Sequence, residues 1–250
     1  MIRAQVQPTP SGAILFDAAA VHGVDDAWFD PAHWQATADV AARHAGRGNV
    51  MFFEASFGAA VLRHYHRGGL VAHLNNDRYL WTGRSRTRGF REFRLLAQLH
   101  DVGLRVPAPV LARYQRRGLL YRADLVTRAI PGARTLAARI VDSDVDAALA
   151  ARVGRSLAGF HAQGVCHADL NAHNLVTDAA GEVWLLDFDR GRMRKPDMRW
   201  QQGNLDRLQR SLLKIGALRH LPRFESGFWH PLLAAYHRVL GDRALRGDGR

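Results

Sequence analysis

Residues 167 to 176 read HADLNAHNLV, and what stands on either side of them restricts the chain more than any other feature. Upstream, Leu149, Val153, Leu157 and Phe160 recur at helical spacing, and Gly164 stands where that helix should stop. Ser143, with Asp146 three residues later, reads as its N-terminal cap. Downstream, two apolar runs flank Asp178-Ala-Ala-Gly181, a hairpin signal, and the second run ends in Leu-Leu-Asp187-Phe-Asp189. The order is helix, polar loop with His167, Asp169 and Asn174, hairpin, strand-end aspartate. Any one of these polar stretches alone would be an ordinary turn, since Asp and Asn favour turns for local reasons. The full ordered set is not explained that way.

The spacing H-x-D-x-x-x-x-N followed by a strand-end Asp resembles the catalytic and metal-binding segment of protein-kinase-like phosphotransferases. "FHAQGV" also occupies the place that kinases fill with Leu-His-x-x-Gly-Ile. On that resemblance Asp169 is the catalytic acceptor of the attacking hydroxyl's proton, a role worth about 10²–10⁴-fold in rate. Asn174 and Asp187 are the metal ligands, because magnesium takes oxygen donors, keeps several waters and needs little else beside the phosphates of ATP. His167 buttresses the loop. Asp189 stands where kinases carry a glycine, so less switching of this loop is expected, and it could bring a third carboxylate to the metal. Asn171 replaces the lysine that many protein kinases place two residues after the catalytic aspartate.

A chain of 250 residues with 47% hydrophobic and 23% charged residues is globular and can bury a real core. It lacks an apolar run of the roughly 20 residues needed to span a bilayer, and its N-terminus is a poor signal peptide. The single cysteine, Cys166, excludes an intrachain disulfide and is compatible with the cytoplasm. The net charge of +12 attracts polyanions of several kinds. Lys195 and Lys214 are the only lysines, so a phosphate grip upstream of them must use arginine or backbone N–H groups.

The first half reads as strands with one helix. Residues 49–56 and 59–66 are apolar runs separated by Gly58, 89–100 is a helix, and 109–130 is strand, Arg-Arg-Gly turn, strand. "PGART" at 131–135 reads as a hinge. The fold expected is α+β: a protein-kinase-like bilobal fold, with a β-rich N-terminal lobe over 1–128 gripping nucleotide phosphates and a mostly helical C-terminal lobe over 129–250 carrying the catalytic loop and metal site. Gly46 and Gly48 are candidates for the loop over the phosphates. Arg63 stands where the strand lysine would be, with Arg67 as a fallback. Glu92 shares the buried stripe of its helix with Leu96 and Leu99, so its carboxylate needs a partner, and Arg63 is the one expected. Arginine can bind a carboxylate or phosphate through two parallel bonds, where lysine acts as a point charge.

No "APE" follows "DFD", and only about sixty residues remain after it, too few for a peptide-binding platform. A small-molecule or glycolipid hydroxyl is the better acceptor. Four stretches, "LRHYHRGGLVAHLNNDRYLWTG", "REFRLLAQLHDVGLRVPAP", "ADLVTRAIPGARTLA" and "LLDFDRGRMR", look like the 3-deoxy-D-manno-octulosonic acid (Kdo) kinases of the lipopolysaccharide core. That resemblance runs from about residue 45 to 215. It implies ATP-dependent phosphorylation of the 4-hydroxyl of Kdo on the Kdo-lipid A precursor, with Mg²⁺, at the cytoplasmic face of the bacterial inner membrane. The arginine-dense segments 83–94 and 189–199 suit an anionic glycolipid and an anionic membrane surface, each basic residue contributing about 1 kcal/mol near such a surface. Two other readings stand beside it: a kinase-like enzyme for another alcohol, such as a heptose or an aminoglycoside, and a non-catalytic kinase-fold binding protein. Aromatic residues interleaved with basic ones are lacking, so nucleic acid is not an expected partner.

Overall fold

The computed structural model describes residues 1–37, 43–44, 50–66 and 77–245, in two compact units. The first comprises 1–103 and 107–129; the second comprises 104–106 and 130 onward. It is an α+β protein with a large sheet and a set of helices. Gly46, Gly48 and Arg67 lie outside the described residues.

The first unit is built on one sheet of eight antiparallel strands. These are β1 (Ala4–Thr9), β2 (Gly12–Asp17), β3 (Arg43–His44), β4 (Val50–Ala55), β5 (Gly58–His64), β6 (Tyr79–Leu80), β7 (Pro109–Arg117) and β8 (Leu120–Arg128). The spatial order is β1-β2-β7-β8-β5-β4-β3, with β6 also pairing β8. Both expected hairpins, β4–β5 and β7–β8, are present. Gly58 turns the first of them at φ +97°, a conformation that L side chains rarely adopt. Alternation along the strands sends Ile14, Met51, Phe53, Leu62, Leu111 and Val126 into one cluster, closed by Phe29 and by Trp34 from the short helix α1 (Pro31–Thr37). Tyr114, three residues along from Leu111, packs instead against Phe90 of α2 (Arg88–Asp101).

Helix α2 buries Phe90, Phe93, Leu96 and Leu99, each contributing about 1.5–3 kcal/mol of transfer free energy. Gly89 lets its first turn reach the sheet, since a Cβ there would lie 2.8 Å from the Asp124 carbonyl oxygen. The β1–β2 hairpin was not expected. Its outer strand is mostly exposed and carries Pro8, which an edge strand tolerates because its missing N–H costs no ladder bond.

The second unit starts with β9 (Arg134–Thr135), so the end of "PGART" is a strand paired to residues 176–177, and Thr135 caps α3 (Leu136–Val141). Next come α4 (Ala147–Ala162), β10 (Val165–Cys166), β11 (Leu175–Thr177), β12 (Val183–Leu185) and β13 (Arg192–Met193). The chain closes with α5 (Met198–Lys214), α6 (Ala217–His220) and α7 (His230–Leu245). The stripe of α4 is buried as expected, but its cap is Asp146, whose carboxylate accepts from the Leu149 N–H at 2.7 Å. Ser143 is no cap: it sits at φ 54° and donates to the His220 carbonyl at 2.9 Å. Aspartate takes the role because it stands directly before the first helical residue, where its oxygen reaches the orphan N–H groups. Gly164 ends the helix region at φ +76°, with the Arg194 carbonyl packed 2.1 Å from where a Cβ would be. Gly154 likewise lets α4 meet α7, its missing Cβ lying 2.1 Å from the Leu232 carbonyl oxygen.

Candidate active site

The polar loop of the second unit hangs between β10 and β11 and is locked by its own asparagines. Asn171 Oδ1 accepts from the N–H groups of His173 at 2.9 Å and Asn174 at 3.1 Å, closing a tight turn. Its Nδ2 donates at 3.1 Å to both the carbonyl and the Oδ2 carboxylate oxygen of Asp169. Asn174 Nδ2 donates to the same Asp169 carbonyl at 2.9 Å, which leaves Oδ1 as the atom of that side chain able to ligate. Asp169 itself is 67% exposed, a carboxylate held from behind with its face open.

The β11–β12 hairpin then carries the chain back to this loop. Leu175 pairs with Leu185, and one step further the Leu186 N–H donates to the Asn174 carbonyl at 2.8 Å. Asp187, the next residue, is exposed and adopts φ 62°, one of two non-glycine residues with positive φ among those described. That region costs a non-glycine residue of the order of 1–3 kcal/mol and is concentrated at functional sites. Phe188 beside it is 1% exposed and packs its ring edgewise on His167, centroids 5.0 Å apart. The buried phenyl anchors the segment while Asp187 points to solvent.

His167 joins the two sides. It is 2% exposed; its Nε2 bonds the Leu186 carbonyl at 2.9 Å, and Nδ1 accepts from the Asp169 N–H at 3.2 Å. That pattern requires the neutral Nε2–H tautomer, and burial lowers the ring's pKa, outweighing the nearby carboxylates. Its backbone is held in turn by Asn204 of α5. Asn204 Nδ2 donates to the His167 carbonyl at 2.9 Å, and Oδ1 accepts from the His167 N–H at 3.2 Å. Asn204 Oδ1 also faces His161 Nε2 at 3.4 Å, and His161 Nδ1 meets the Tyr236 hydroxyl of α7 at 2.7 Å. Burial drives His161 down to about 4, so it too is neutral. A continuous buried network therefore runs from α7 through α4 and α5 into the loop. Asn204 could have been flagged in sequence as a polar residue amid the apolar stripe of α5, next to Leu205 and Leu208.

In the first unit, Arg63 on β5 forms an ion pair with Glu92 of α2, and the glutamate is only 2% exposed. The Tyr65 hydroxyl donates to the same Glu92 oxygen at 2.6 Å and accepts from the Arg63 guanidinium at 3.2 Å. The guanidinium carbon also stands 4.7 Å from the centre of the Tyr65 ring. Burial, and next the Glu92 charge, raise the phenol's pKa well above its usual value, so it remains a donor. Tyr65 escaped notice in the sequence, although it lies two residues from Arg63, just past the end of β5.

Among the described residues no three His, Cys, Asp or Glu side chains cluster as a metal cage. Asp187 and Asn174 carry a carboxylate and an amide oxygen, donor types that magnesium accepts beside phosphate oxygens.

The order of helix, polar loop, hairpin and strand-end aspartate is that of a kinase-type phosphotransferase. Residues 31–236 match the lipopolysaccharide kinase (Kdo/WaaP) family, and the chain belongs to it. The match extends beyond the 45–215 legible as a resemblance in the sequence. A 3-deoxy-D-manno-octulosonic acid kinase of Xylella fastidiosa (strain 9a5c) is 48% identical over 204 residues, covering 82% of this chain and 81% of its own. The proteins of that name from Stenotrophomonas maltophilia (strain K279a) and Xanthomonas campestris pv. campestris (strain B100) are 47% and 46% identical, with the same coverage.

Proposed function

We propose that this chain is an ATP-dependent kinase that phosphorylates the 4-hydroxyl of Kdo on the Kdo-lipid A precursor of the lipopolysaccharide core. The observation that carries this reading is the loop in which Asn171 and Asn174 hold the Asp169 carbonyl and Asn171 also holds its Oδ2, while the side chain stays 67% exposed one hairpin step from Asp187. Family membership and the activity named for relatives at 46–48% identity supply the acceptor.

Asp169 accepts the proton of the acceptor hydroxyl as its oxygen bonds to the γ-phosphorus. The bond from that phosphorus to the bridging oxygen breaks and ADP leaves. The proton passes from Asp169 to water, which its 67% exposure permits. Asn174 and Asp187 would hold Mg²⁺, which would supply charge neutralisation for the phosphate oxygens. Arg63, held by Glu92 and Tyr65, binds nucleotide phosphate; Gly46 and Gly48 are proposed to line the loop over it. In these roles the region 1–128 grips nucleotide and 129–250 carries out transfer.

Among the described residues no helix is long and apolar enough to cross a membrane. Peripheral attachment at the cytoplasmic face of the inner membrane is proposed instead. It is supported by Leu80 and Leu119, which are 61% and 74% exposed and sit at one end of the sheet, where β6 pairs β8. Arg78, Arg116, Arg117 and Arg122, together with Leu120, line a cavity of about 380 Å³ on the same strands. Apolar tips amid cations suit an anionic bilayer.

The test is purified protein with Mg-ATP and Kdo-bearing lipid A precursor, phosphate gain being read by mass. Heptose and aminoglycoside acceptors run alongside. Transfer to either of those alone would replace the acceptor assignment.

A further inference from the structure

Helix α5 is fastened to the catalytic loop at two points. Asn204 grips the His167 backbone, and Ser211 Oγ accepts from the Ala172 N–H at 3.1 Å. Arg207 lies between them, three residues after Asn204 and four before Ser211, so all three share one side of the helix. The two clamps hold this side of α5 against the loop. Arg207 Nη1 stands 3.9 Å from Asp169 Oδ1, at ion-pair range but beyond a hydrogen bond. The Arg207 side chain is 48% exposed and Asp169 67%, so a cation and the proposed base open onto the same solvent.

Resting on the kinase reading above, we infer that Arg207 is the residue that recognises the acid group of the acceptor sugar. The acceptor hydroxyl must lie against Asp169 to give up its proton, so the rest of the sugar occupies the space beside that carboxylate. Kdo is an acid, and its carboxylate lies on the same ring as the 4-hydroxyl. A guanidinium next to the base can take that carboxylate through two parallel N–H···O bonds and turn the hydroxyl toward Asp169. Arg207 comes from an element that carries neither proposed metal ligand, consistent with a contact to acceptor rather than to nucleotide. A neutral sugar offers the guanidinium no carboxylate to bind through two bonds, so the contact discriminates between acceptors as well as binding one.

The experiment compares wild type and Arg207→Gln on two acceptors, the Kdo-bearing lipid A precursor and its Kdo methyl ester, with KM for acceptor and for ATP measured separately. Wild type on the ester and Arg207→Gln on the acid should each lose about 10- to 100-fold in kcat/KM for the acceptor. The variant on the ester should lose no more than either change alone, and KM for ATP should stay within about twofold. Losses that multiply would overturn the proposal, since arginine and carboxylate would then act independently. A rise confined to KM for ATP would overturn it too, moving Arg207 to the phosphates. Arg207→Lys should recover part of the loss on the acid and none on the ester; equal recovery on both would mean that the charge serves Asp169 instead. A wild-type protein inactive on both acceptors would sink the kinase reading itself, whereas an active one with multiplicative losses sinks this proposal alone.

Discussion

The hydroxyl of Tyr65 donates to Glu92 Oε2 at 2.6 Å while accepting from Arg63 at 3.2 Å, so a buried phenol sits at the corner of an arginine–glutamate pair. The glutamate is 2% exposed and would be intolerable without partners. Arg63→Ala should cost about 3 kcal/mol in denaturant unfolding, because it removes the cation from a buried carboxylate. Tyr65→Phe should cost about 1–2 kcal/mol and raise KM for ATP several-fold with little change in kcat, because the guanidinium loses its lateral support. Equal stability of Tyr65→Phe and wild type would show that the phenol contributes nothing to the pair.

Asn204 satisfies the backbone of His167 and faces the ring of His161. Asn204→Ala leaves at least two buried polar groups without partners and should cost about 2–4 kcal/mol. It should also lower kcat by at least tenfold, since Asp169 follows His167 by two residues. Unfolding curves and turnover measured on one preparation check both, and full activity in a destabilised variant would confine Asn204 to the core.

Acid should loosen the second unit through His161. Its pKa is about 4 when folded, driven down by burial, against about 6.5 when unfolded. Between those values the unfolded chain binds more protons, so stability falls as pH drops from about 6.5 to about 4. This group alone accounts for roughly 3 kcal/mol of that fall. His167 is lowered for the same reason and acts in the same direction. Denaturant midpoints at pH 7 and pH 4.5 should differ accordingly, and His161→Gln should flatten the slope. An unchanged slope in that variant would remove His161 as the source.

What could be read in the chain beforehand was what short range dictates. The loop from His167 to Asn174, the hairpin turned at Asp178–Gly181 and the stripe of α2 each declare themselves within a dozen residues. Arg63 and Glu92 could be matched because a carboxylate on a buried helical face demands a cation. The clamp on the loop was not legible, since Asn204 finds His167 across 37 residues and only packing aligns α5 with the loop. The β1–β2 hairpin was missed for a related reason: its exposed outer strand has little apolar alternation, and β2 pairs with β7 about a hundred residues away. The cap of α4 turned on three residues, a matter of backbone geometry that composition does not resolve.

Binding to anionic vesicles should depend on Leu80 and Leu119. Leu80→Ser combined with Leu119→Ser should weaken co-sedimentation with vesicles rich in anionic lipid by at least tenfold, each leucine contributing about 1–2 kcal/mol. Transfer to a water-soluble Kdo acceptor should be unaffected. Unchanged sedimentation would move the membrane contact elsewhere on the arginine-rich surface.

The most direct measurement is single-turnover phosphoryl transfer from Mg-ATP to the Kdo-bearing acceptor by Asp169→Ala. The carboxylate is 67% exposed, so the variant should fold and bind ATP like wild type. Its transfer rate should fall by about 10²–10⁴-fold. A rate close to wild type, with nucleotide binding intact, would take Asp169 out of the chemistry and the kinase mechanism with it.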